Sequence, residues 1–194
     1  MDSIANDDNG SALMLAYANG DATAFDQLYS RHSQPLLQYI TNSCGSQADA
    51  QELFQDVWMK VIKQRDQYDS SAPFKPWLFT IARNRIIDLF RANKRRATTN
   101  LGFDDPTPSA GTTANQPLEP DEITRIMQSK QLLMEALQLL TPEQRETVLL
   151  KHVAGFSIKE IAKLQTEKPE TVKSRLRYAF ARLRQTLRDT DSHE

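Results

Sequence analysis

The stretch from Ala97 to Thr124 most constrains how this chain can fold, because it contains no Lys or Arg and interrupts an otherwise regular sequence. It holds four prolines and five acidic residues among Thr, Ser and Gly. With so few apolar side chains, it cannot bury enough surface to offset the entropy lost on ordering. The sequence therefore predicts two folded domains, residues 11–97 and 122–190, joined by a flexible acidic linker over residues 98–121. An acidic tail, residues 1–10, is expected to be disordered.

Helical periodicity runs through both predicted domains. Gly is scarce at 6 of 194 residues, β-branched alternating runs are absent, and Leu, Ala, Gln, Glu, Lys and Arg recur with gaps of three and four. We therefore expect an all-α fold of two small helical domains. No run approaches the roughly 18 apolar residues of a membrane span, and the N-terminus lacks the features of a secretory signal. These features favour a cytoplasmic protein without membrane insertion.

The formal net charge of -1 conceals two strongly basic segments. Residues 61–100 hold nine Lys and Arg against three Asp, and residues 168–188 hold seven cations and one carboxylate. Clustered cations bind the phosphates of nucleic acids, although a charged helix face is often simply solvated. The two segments predict two anion-binding modules, with that alternative left open.

Two helix starts and a short turn predict a helix-turn-helix in the second domain. Thr141 is followed by Pro142 and Gln144, and Ser157 by Glu160, so both starts can form capping boxes. The short helix after Ser157 leads into the longer cationic helix. In such an arrangement the second helix enters the major groove of DNA by its N-terminal part.

Polar side chains on the first turns of the cationic helix are the candidates for DNA contact. Lys173 with Arg177, and Ser174 with Tyr178, lie at i,i+4 spacing off the apolar stripe, and we expect these four to reach base edges. Arg175 is expected to meet phosphate or solvent. The full set of candidates is Lys168, Thr171, Lys173, Ser174, Arg175, Arg177 and Tyr178.

Two helices and a loop carry the candidates of the first domain. The segment Asp49–Ile62 has apolar residues at helical spacing and an acidic opposite face, which could face a partner or only water. A helix predicted over residues 76–90 presents arginines suited to phosphates. In the polar loop before it, Tyr68 and Phe74 could stack on unpaired bases, or Phe74 could fill the core.

Several sequence blocks, taken together, resemble a known family. AFDQLYSRH, DAQELFQDVWMKV, PWLFTIARNRIIDLFR and TPEQRETVLLKHVAGFSIKEIAKL occur in the order found in small bacterial sigma factors of the extracytoplasmic-function (ECF) kind, and the likeness covers nearly the whole chain. The resemblance implies a transcription-initiation subunit that joins core RNA polymerase and reads promoter DNA.

The same resemblance implies roles for particular residues. Those matching the segment that opens and holds the minus-ten element are Tyr68, Phe74, Trp77, Arg83, Asn84 and Arg91. Those matching the helix that docks on the largest polymerase subunit are Asp49, Glu52, Gln55, Asp56 and Trp58. The helix Pro169–Arg188 would read the minus-35 element as duplex. An anti-sigma factor is expected as a further partner, because such proteins are usually held inactive by one.

The turn of the predicted helix-turn-helix departs from the family pattern. Gln165, Thr166 and Glu167 stand where Leu, Gly and an apolar residue are usual, and Lys168 stands where a Ser cap is common. Thr enters the left-handed backbone conformation less readily than Gly. We therefore expect a longer or looser turn, for which Lys168 could compensate with a phosphate contact.

Other function classes find less support in the sequence. Cys44 is the only cysteine, and His32, His152 and His193 are scattered, so no zinc-binding spacing exists and no metal or cofactor is indicated. An enzyme would need a carboxylate cluster or an activated nucleophile, and no His or Lys pairs convincingly with a Ser or Tyr. An ordinary DNA-binding regulator that does not join the polymerase would leave the acidic helix without a role.

Overall fold

The computed structural model describes residues 8–99 and 131–191, and each regular element in those ranges is a helix. The prediction of an all-α fold is confirmed. The chain divides into two compact units. The first unit holds four α-helices and a 3-10 turn: α1 (Asp8–Ala18), α2 (Ala22–Cys44), nearly all of α3 (Gln47–Lys63), the 3-10 turn (Arg65–Gln67) and α4 (Phe74–Thr99). The second unit holds α5 (described over residues 131–138), α6 (Pro142–His152), α7 (Ile158–Gln165) and α8 (Pro169–Asp191).

The predicted tail and linker fall mostly on residues outside the described ranges. Residues 1–7 of the tail lie outside them, whereas residues 8–10 open α1. Residues 100–121 of the linker also lie outside them, whereas α4 continues to Thr99. The loss of cations at Ala97 therefore does not end the helix there.

The core of the first unit is built around aromatic side chains. Tyr39, Phe74 and Phe79 are almost completely buried, and the rings of Tyr39 and Phe79 lie 5.3 Å apart. Helix α2 packs against both α1 and α4, and its apolar stripe supplies Leu28, Leu36 and Ile40. Helix α4 begins at Phe74, so Phe74 belongs to the helix and not to the loop before it.

Two short helices of the second unit, α6 and α7, begin with capping boxes. The Gln144 N–H donates to Thr141 Oγ1 and the Thr141 N–H to Gln144 Oε1, each at 3.3 Å. Ser157 and Glu160 exchange the same pair of bonds at 3.3 and 2.7 Å. Both predicted capping boxes are therefore confirmed. The core is largely aliphatic and includes Leu149, Leu150, Phe156, Ile161, Val172, Leu176 and Leu183.

The turn between α7 and α8 is short, with residues 166–168 separating the two helices. Thr166 adopts the left-handed conformation, with φ of 56° and ψ of 45°. The Glu167 N–H donates to the Ala162 carbonyl oxygen at 2.8 Å, and the Thr166 N–H to that of Lys163 at 3.2 Å. These bonds close the helix end as a Gly at this position would. The expectation of a longer or looser turn is therefore wrong, although the left-handed backbone costs a residue with a Cβ about 1–2 kcal/mol.

Candidate nucleic-acid interface

The start of α8 presents polar side chains to solvent. Val172 and the apolar residues that follow it at helical spacing turn the opposite side of the helix into the core. Thr171 and Ser174 are half-buried at the edge of the polar surface. Four of the seven minus-35 candidates are exposed: Lys168, Lys173, Arg177 and Tyr178.

Local contacts hold three of these exposed side chains. Lys173 Nζ lies 2.8 Å from Glu170 Oε1 in an exposed ion pair. Arg177 Nη2 donates to the Tyr178 hydroxyl at 3.3 Å, and the Arg177 guanidinium lies 5.0 Å from the Tyr178 ring centroid. Exposed contacts of this kind contribute at most about 1 kcal/mol. DNA phosphates and bases can therefore replace them at little cost.

Arg175 is engaged by the turn that precedes α8. Its Nη2 donates to Glu167 Oε1 at 2.6 Å, and its Nη1 donates to Gln165 Oε1 at 3.2 Å. Only 22% of the Arg175 side chain is exposed. These partners could not be predicted from the sequence, because nothing in the spacing distinguishes Arg175 from the other arginines of the helix.

Helix α4 carries the second basic surface. Asn84 and Arg91 are exposed, and Arg83 is half-buried. Farther along the same helix, Lys94 and Arg95 are exposed as well. These side chains belong to a 26-residue helix whose first turns are anchored in the core. From Arg83 onward, α4 thus offers donors suited to a phosphate backbone.

The aromatic side chains around the start of α4 form one packed cluster. Phe74 is fully buried, Tyr68 is 8% exposed and Trp77 is half-buried. The Tyr68 ring lies 5.1 Å from that of Trp77, and the Tyr68 hydroxyl donates to the Ala72 carbonyl oxygen at 2.5 Å and lies 3.0 Å from Ser11 Oγ. Of the two interpretations left open, core filling describes Phe74. Neither Phe74 nor Tyr68 offers a ring face to a base in this structure, because both are buried.

His32 lies against the same cluster, with its ring centroid 5.3 Å from that of Phe74. Burial, reinforced by the charges of Lys75 and Arg31, lowers the pKa of His32 to about 4. His32 is therefore neutral at physiological pH and serves as a packing residue. Burial also raises the pKa of the Cys44 thiol to about 12, so that Cys44 stays protonated and weakly nucleophilic.

The acidic face of α3 is divided between solvent and α4. Glu52 and Gln55 are exposed, and Asp49 is half-buried. Asp56 forms an ion pair with Arg85 of α4. This pair ties α3 to α4, so Asp56 has a structural role in addition to the partner-binding role expected of it.

Trp58 belongs to an aromatic cluster and not to the acidic surface. It is 4% exposed, and its ring lies 4.9 Å from Tyr29 and 5.7 Å from Phe25. The structure contradicts Trp58 as a contact residue, because its side chain is covered by these rings. Tyr29 and Met59 are instead 41% and 49% exposed. Sequence reasoning missed Tyr29 because only tertiary packing brings α2 against this part of α3.

Within residues 8–99 and 131–191, no helix is long and apolar enough to cross a membrane. Over the same residues, no group of three His, Cys, Asp or Glu side chains is arranged to hold a metal ion.

Comparison with known families assigns both units to one class of protein. The Sigma-70 region 2 family matches residues 28–96. The Sigma-70, region 4 family matches residues 130–183, which include the helix-turn-helix. Together with the cationic α8, these matches define a transcription-initiation protein of the sigma-70 class.

Curated relatives narrow this class to one family. RNA polymerase sigma factor CarQ of Myxococcus xanthus is 29% identical over 90% of this chain and 95% of its own length. ECF RNA polymerase sigma factor SigL of Mycobacterium tuberculosis is 31% identical over 92% of this chain and 97% of its own length. The chain belongs to the ECF family of RNA polymerase sigma factors, and it directs promoter-specific transcription.

Two solved structures share the fold. The sigma factor RpoE from Bartonella quintana, solved in complex with the anti-sigma factor NepR, is 26% identical with a TM-score of 0.72, over 84% of this chain and 96% of that chain. CnrH, solved in complex with the cytosolic domain of CnrY, is 26% identical with a TM-score of 0.66, over 94% and 99% of the two chains. In each comparison the likeness therefore extends over most of this chain and most of the solved chain.

Proposed function

We propose that the two units of this sigma factor read two promoter elements, α8 the minus-35 element as duplex and α4 the minus-ten element after melting. The observation that carries this proposal is the exposed start of α8, where Lys173, Arg177 and Tyr178 follow a short closed turn. An α-helix fits the major groove of B-DNA, and its first turns bring side chains to base edges. The polar surface at the start of α8 is therefore suited to the major groove.

Residues at the start of α8 serve different parts of the duplex in this proposal. Arg177 can donate two hydrogen bonds to guanine, and a good bidentate pair of this type discriminates against a wrong base by about 1–3 kcal/mol. Lys173, Ser174 and Tyr178 complete the contacts to base edges. Lys168 and Thr171 lie at the helix N-terminus, where phosphates are favoured by the helix dipole and the unpaired N–H groups.

On the first unit, we assign Arg83, Asn84 and Arg91 to the separated strand of the minus-ten element. Cations hold its phosphates, while the half-buried Trp77 offers part of an aromatic ring to an unstacked base. Phe74 supports this surface from the core. Unstacking costs a few kcal/mol per base, and stacking together with phosphate contacts offsets that cost, so melting requires no ATP.

We assign the exposed part of α3 to core RNA polymerase, at the coiled coil of its largest subunit. Glu52 and Gln55 provide exposed polar groups, and the half-buried Asp49 and Asp56 extend the acidic surface. Tyr29 adds a partly exposed aromatic side chain beside it, of a type that is enriched at protein interfaces.

An anti-sigma factor is the proposed regulator. RpoE, which shares the fold of this chain, was solved with such a partner. A protein that covers the surfaces of α3 and α8 would block polymerase and DNA together. Because polymerase and promoter DNA are its partners, we place this protein in the cytoplasm, as an initiation factor and not an enzyme. The domain bounds proposed for these roles are residues 11–97 and 122–190, with residues 98–121 as linker.

Run-off transcription from a randomised promoter pool tests the proposal. Core RNA polymerase with this protein as sole initiation factor is expected to give defined transcripts from promoters that share two elements. Lys173→Ala and Arg177→Ala should each weaken transcription roughly tenfold or more and relax the preferred minus-35 sequence. Gln185→Ala, at an exposed position farther along α8, is the matched control. Silence with duplex binding intact would favour an ordinary helix-turn-helix regulator that does not join the polymerase.

A further inference from the structure

We propose that Arg175 is a positioning residue, which orients α8 for minus-35 DNA through its contacts with the preceding turn and does not itself touch DNA. This inference rests on the proposed role of α8. It concerns a set of side chains, called the turn network below, that joins α6, the end of α7, the turn and α8: Glu146, Thr147, Gln165, Glu167 and Arg175.

Gln165 is the centre of the turn network. Although its side chain is polar, the residue is only 7% exposed. Its Nε2 donates to Glu146 Oε2 at 2.7 Å and to Thr147 Oγ1 at 3.1 Å, so both N–H groups of the amide have acceptors. Its Oε1 accepts from Arg175 Nη1 at 3.2 Å and lies 3.2 Å from Thr147 Oγ1, whose hydroxyl donates to the Glu143 carbonyl oxygen at 2.6 Å. A buried amide is stable only when its groups are paired in this way, so Arg175 completes the environment of Gln165.

Arg175 also spans the turn itself. Its ion pair with Glu167, at 2.6 Å, leaves 22% and 33% of the two side chains exposed. Partly buried, charge-assisted hydrogen bonds are stronger than the exposed pair that Lys173 makes with Glu170. One guanidinium thus holds the residues on both sides of Thr166, the residue in left-handed conformation.

Holding the turn has a direct consequence for DNA recognition. Arg177 and Tyr178 lie two and three residues beyond Arg175, and their contacts with bases require hydrogen-bond distances within a few tenths of an ångström. Without the turn network, only the apolar stripe of α8 and the backbone of the three-residue turn would hold α8 on α7, and α8 could shift. We therefore expect loss of the network to weaken minus-35 recognition without removing any group that touches DNA.

Glu167→Gln separates positioning from phosphate contact by the sign of its effect. If Arg175 bound phosphate, removing the neighbouring carboxylate would release the guanidinium and strengthen promoter binding. If Arg175 positions α8, the same change breaks the ion pair and weakens binding. We expect weakening by roughly tenfold, the usual effect of losing one charged hydrogen bond.

The experiment measures promoter affinity of the holoenzyme across a salt series, on a promoter selected with the native protein. Arg175→Lys keeps the charge but cannot hold both partners in the planar geometry of a guanidinium. It should therefore lose about as much affinity as Arg175→Ala, and neither change should alter the slope of log affinity against log salt. Lys168→Ala is the comparison, because loss of a phosphate contact should reduce that slope by about 1.

Three outcomes would overturn the proposal: a reduced salt slope in Arg175→Ala, rescue of that variant by Arg175→Lys, or tighter binding by Glu167→Gln. Circular dichroism checks that each variant is folded, and Glu167→Gln, which keeps the shape of the side chain, still decides the matter if Arg175→Ala does not fold. Failure of the native holoenzyme to transcribe would instead reject the proposed function of α8 itself.

Discussion

The two units bury different kinds of side chain, and this difference decides which candidate contact residues remain exposed. In the first unit, aromatic residues such as Phe74 and Trp58 are consumed by the core. In the second, the core is mainly aliphatic, with Thr147 and Gln165 buried among hydrogen-bond partners, and four of the seven candidates for DNA contact are exposed. The aromatic candidates Phe74 and Trp58 thus pack in the core, whereas the cationic candidates Lys173 and Arg177 of α8 are exposed.

The largest effect is expected from a substitution of Phe74. Phe74→Ala is expected to lower the free energy of unfolding of the first unit by about 3–5 kcal/mol, because it leaves a cavity at a fully buried position. Both tryptophans, Trp58 and Trp77, lie in the first unit. Tryptophan fluorescence during urea unfolding therefore reports on that unit.

Phe90→Ala is the matched control for Phe74→Ala, because Phe90 lies on the same helix and is 44% exposed. It should change the free energy of unfolding by less than about 1 kcal/mol. If Phe74→Ala unfolded like the native chain and failed only in promoter melting, Phe74 would be a base-stacking residue and the comparison between the units would break.

The second-largest effect is expected from acid, which should lower the free energy of unfolding of the first unit. The pKa of His32 is lowered to about 4 in the folded chain from an ordinary 6.5, so the unfolded chain binds the proton more readily. The contribution of neutral His32 to the free energy of unfolding is therefore fully present above about pH 6.5. It is lost as the pH falls toward 4, by up to about 1.4 kcal/mol per pH unit. Urea unfolding at a series of pH values, followed by tryptophan fluorescence, measures this slope.

Replacing the two histidines in turn assigns that pH dependence. His32→Gln should flatten the slope between pH 6.5 and 4, whereas His152→Gln, at an exposed position of the second unit, should leave it unchanged. An unchanged slope in His32→Gln would mean that other groups of the first unit account for its acid sensitivity.

A smaller effect is expected from Tyr68→Phe. This change keeps the ring that packs on Trp77 but removes the hydroxyl that donates to the Ala72 carbonyl oxygen. The first unit should lose about 0.5–1.5 kcal/mol of unfolding free energy, with run-off transcription at saturating polymerase unchanged. Tyr29→Phe, at a 41% exposed position, is the control for stability. Loss of transcription without loss of stability would show that the Tyr68 hydroxyl acts on DNA.

The smallest expected effect is a stabilisation, and it concerns the turn of the second unit. Thr166→Gly relieves a left-handed backbone that costs about 1–2 kcal/mol with a Cβ, but it also adds freedom to the unfolded chain worth about 0.4–1 kcal/mol. We expect a net gain near 0.5 kcal/mol by that difference, measured by native-state hydrogen exchange of α7 and α8.

Gly155 gives the reverse control, since it also has a positive φ, 69°, but no Cβ. Gly155→Ala should destabilise the second unit by about 1 kcal/mol. Destabilisation by Thr166→Gly would mean that the Thr side chain contributes more to the turn than its backbone strain removes.

The sequence predicted what depends on neighbours along the chain. The capping boxes at Thr141 and Ser157 involve residues three positions apart, and the exposed start of α8 follows from helical spacing. It left open whether Phe74 stacks on bases or fills the core, because its burial depends on His32 and Tyr68 from other elements. Periodicity gives the direction of a side chain on its own helix but not the neighbour that covers it.

The turn shows the same limit at shorter range. The sequence correctly identified Thr166 as unusual, but it could not show that Arg175 returns to Gln165 and Glu167 across the turn. That arrangement depends on how α7 and α8 cross, which no spacing rule specifies. The departure from the family pattern was visible, whereas the contacts that accommodate it were not.

The contact between the Tyr68 hydroxyl and Ser11 bears on the order in which the protein forms. It joins positions 57 residues apart, whereas the contacts of the turn network join positions at most 19 apart. Chains dominated by distant contacts fold more slowly than those dominated by near ones. Although the ribosome delivers the first unit earlier, α1 must wait for Tyr68 to emerge before this contact can form. The second unit is therefore expected to fold faster once it is synthesised. Because it is synthesised last, its rapid folding shortens the time between the end of synthesis and a fully folded protein.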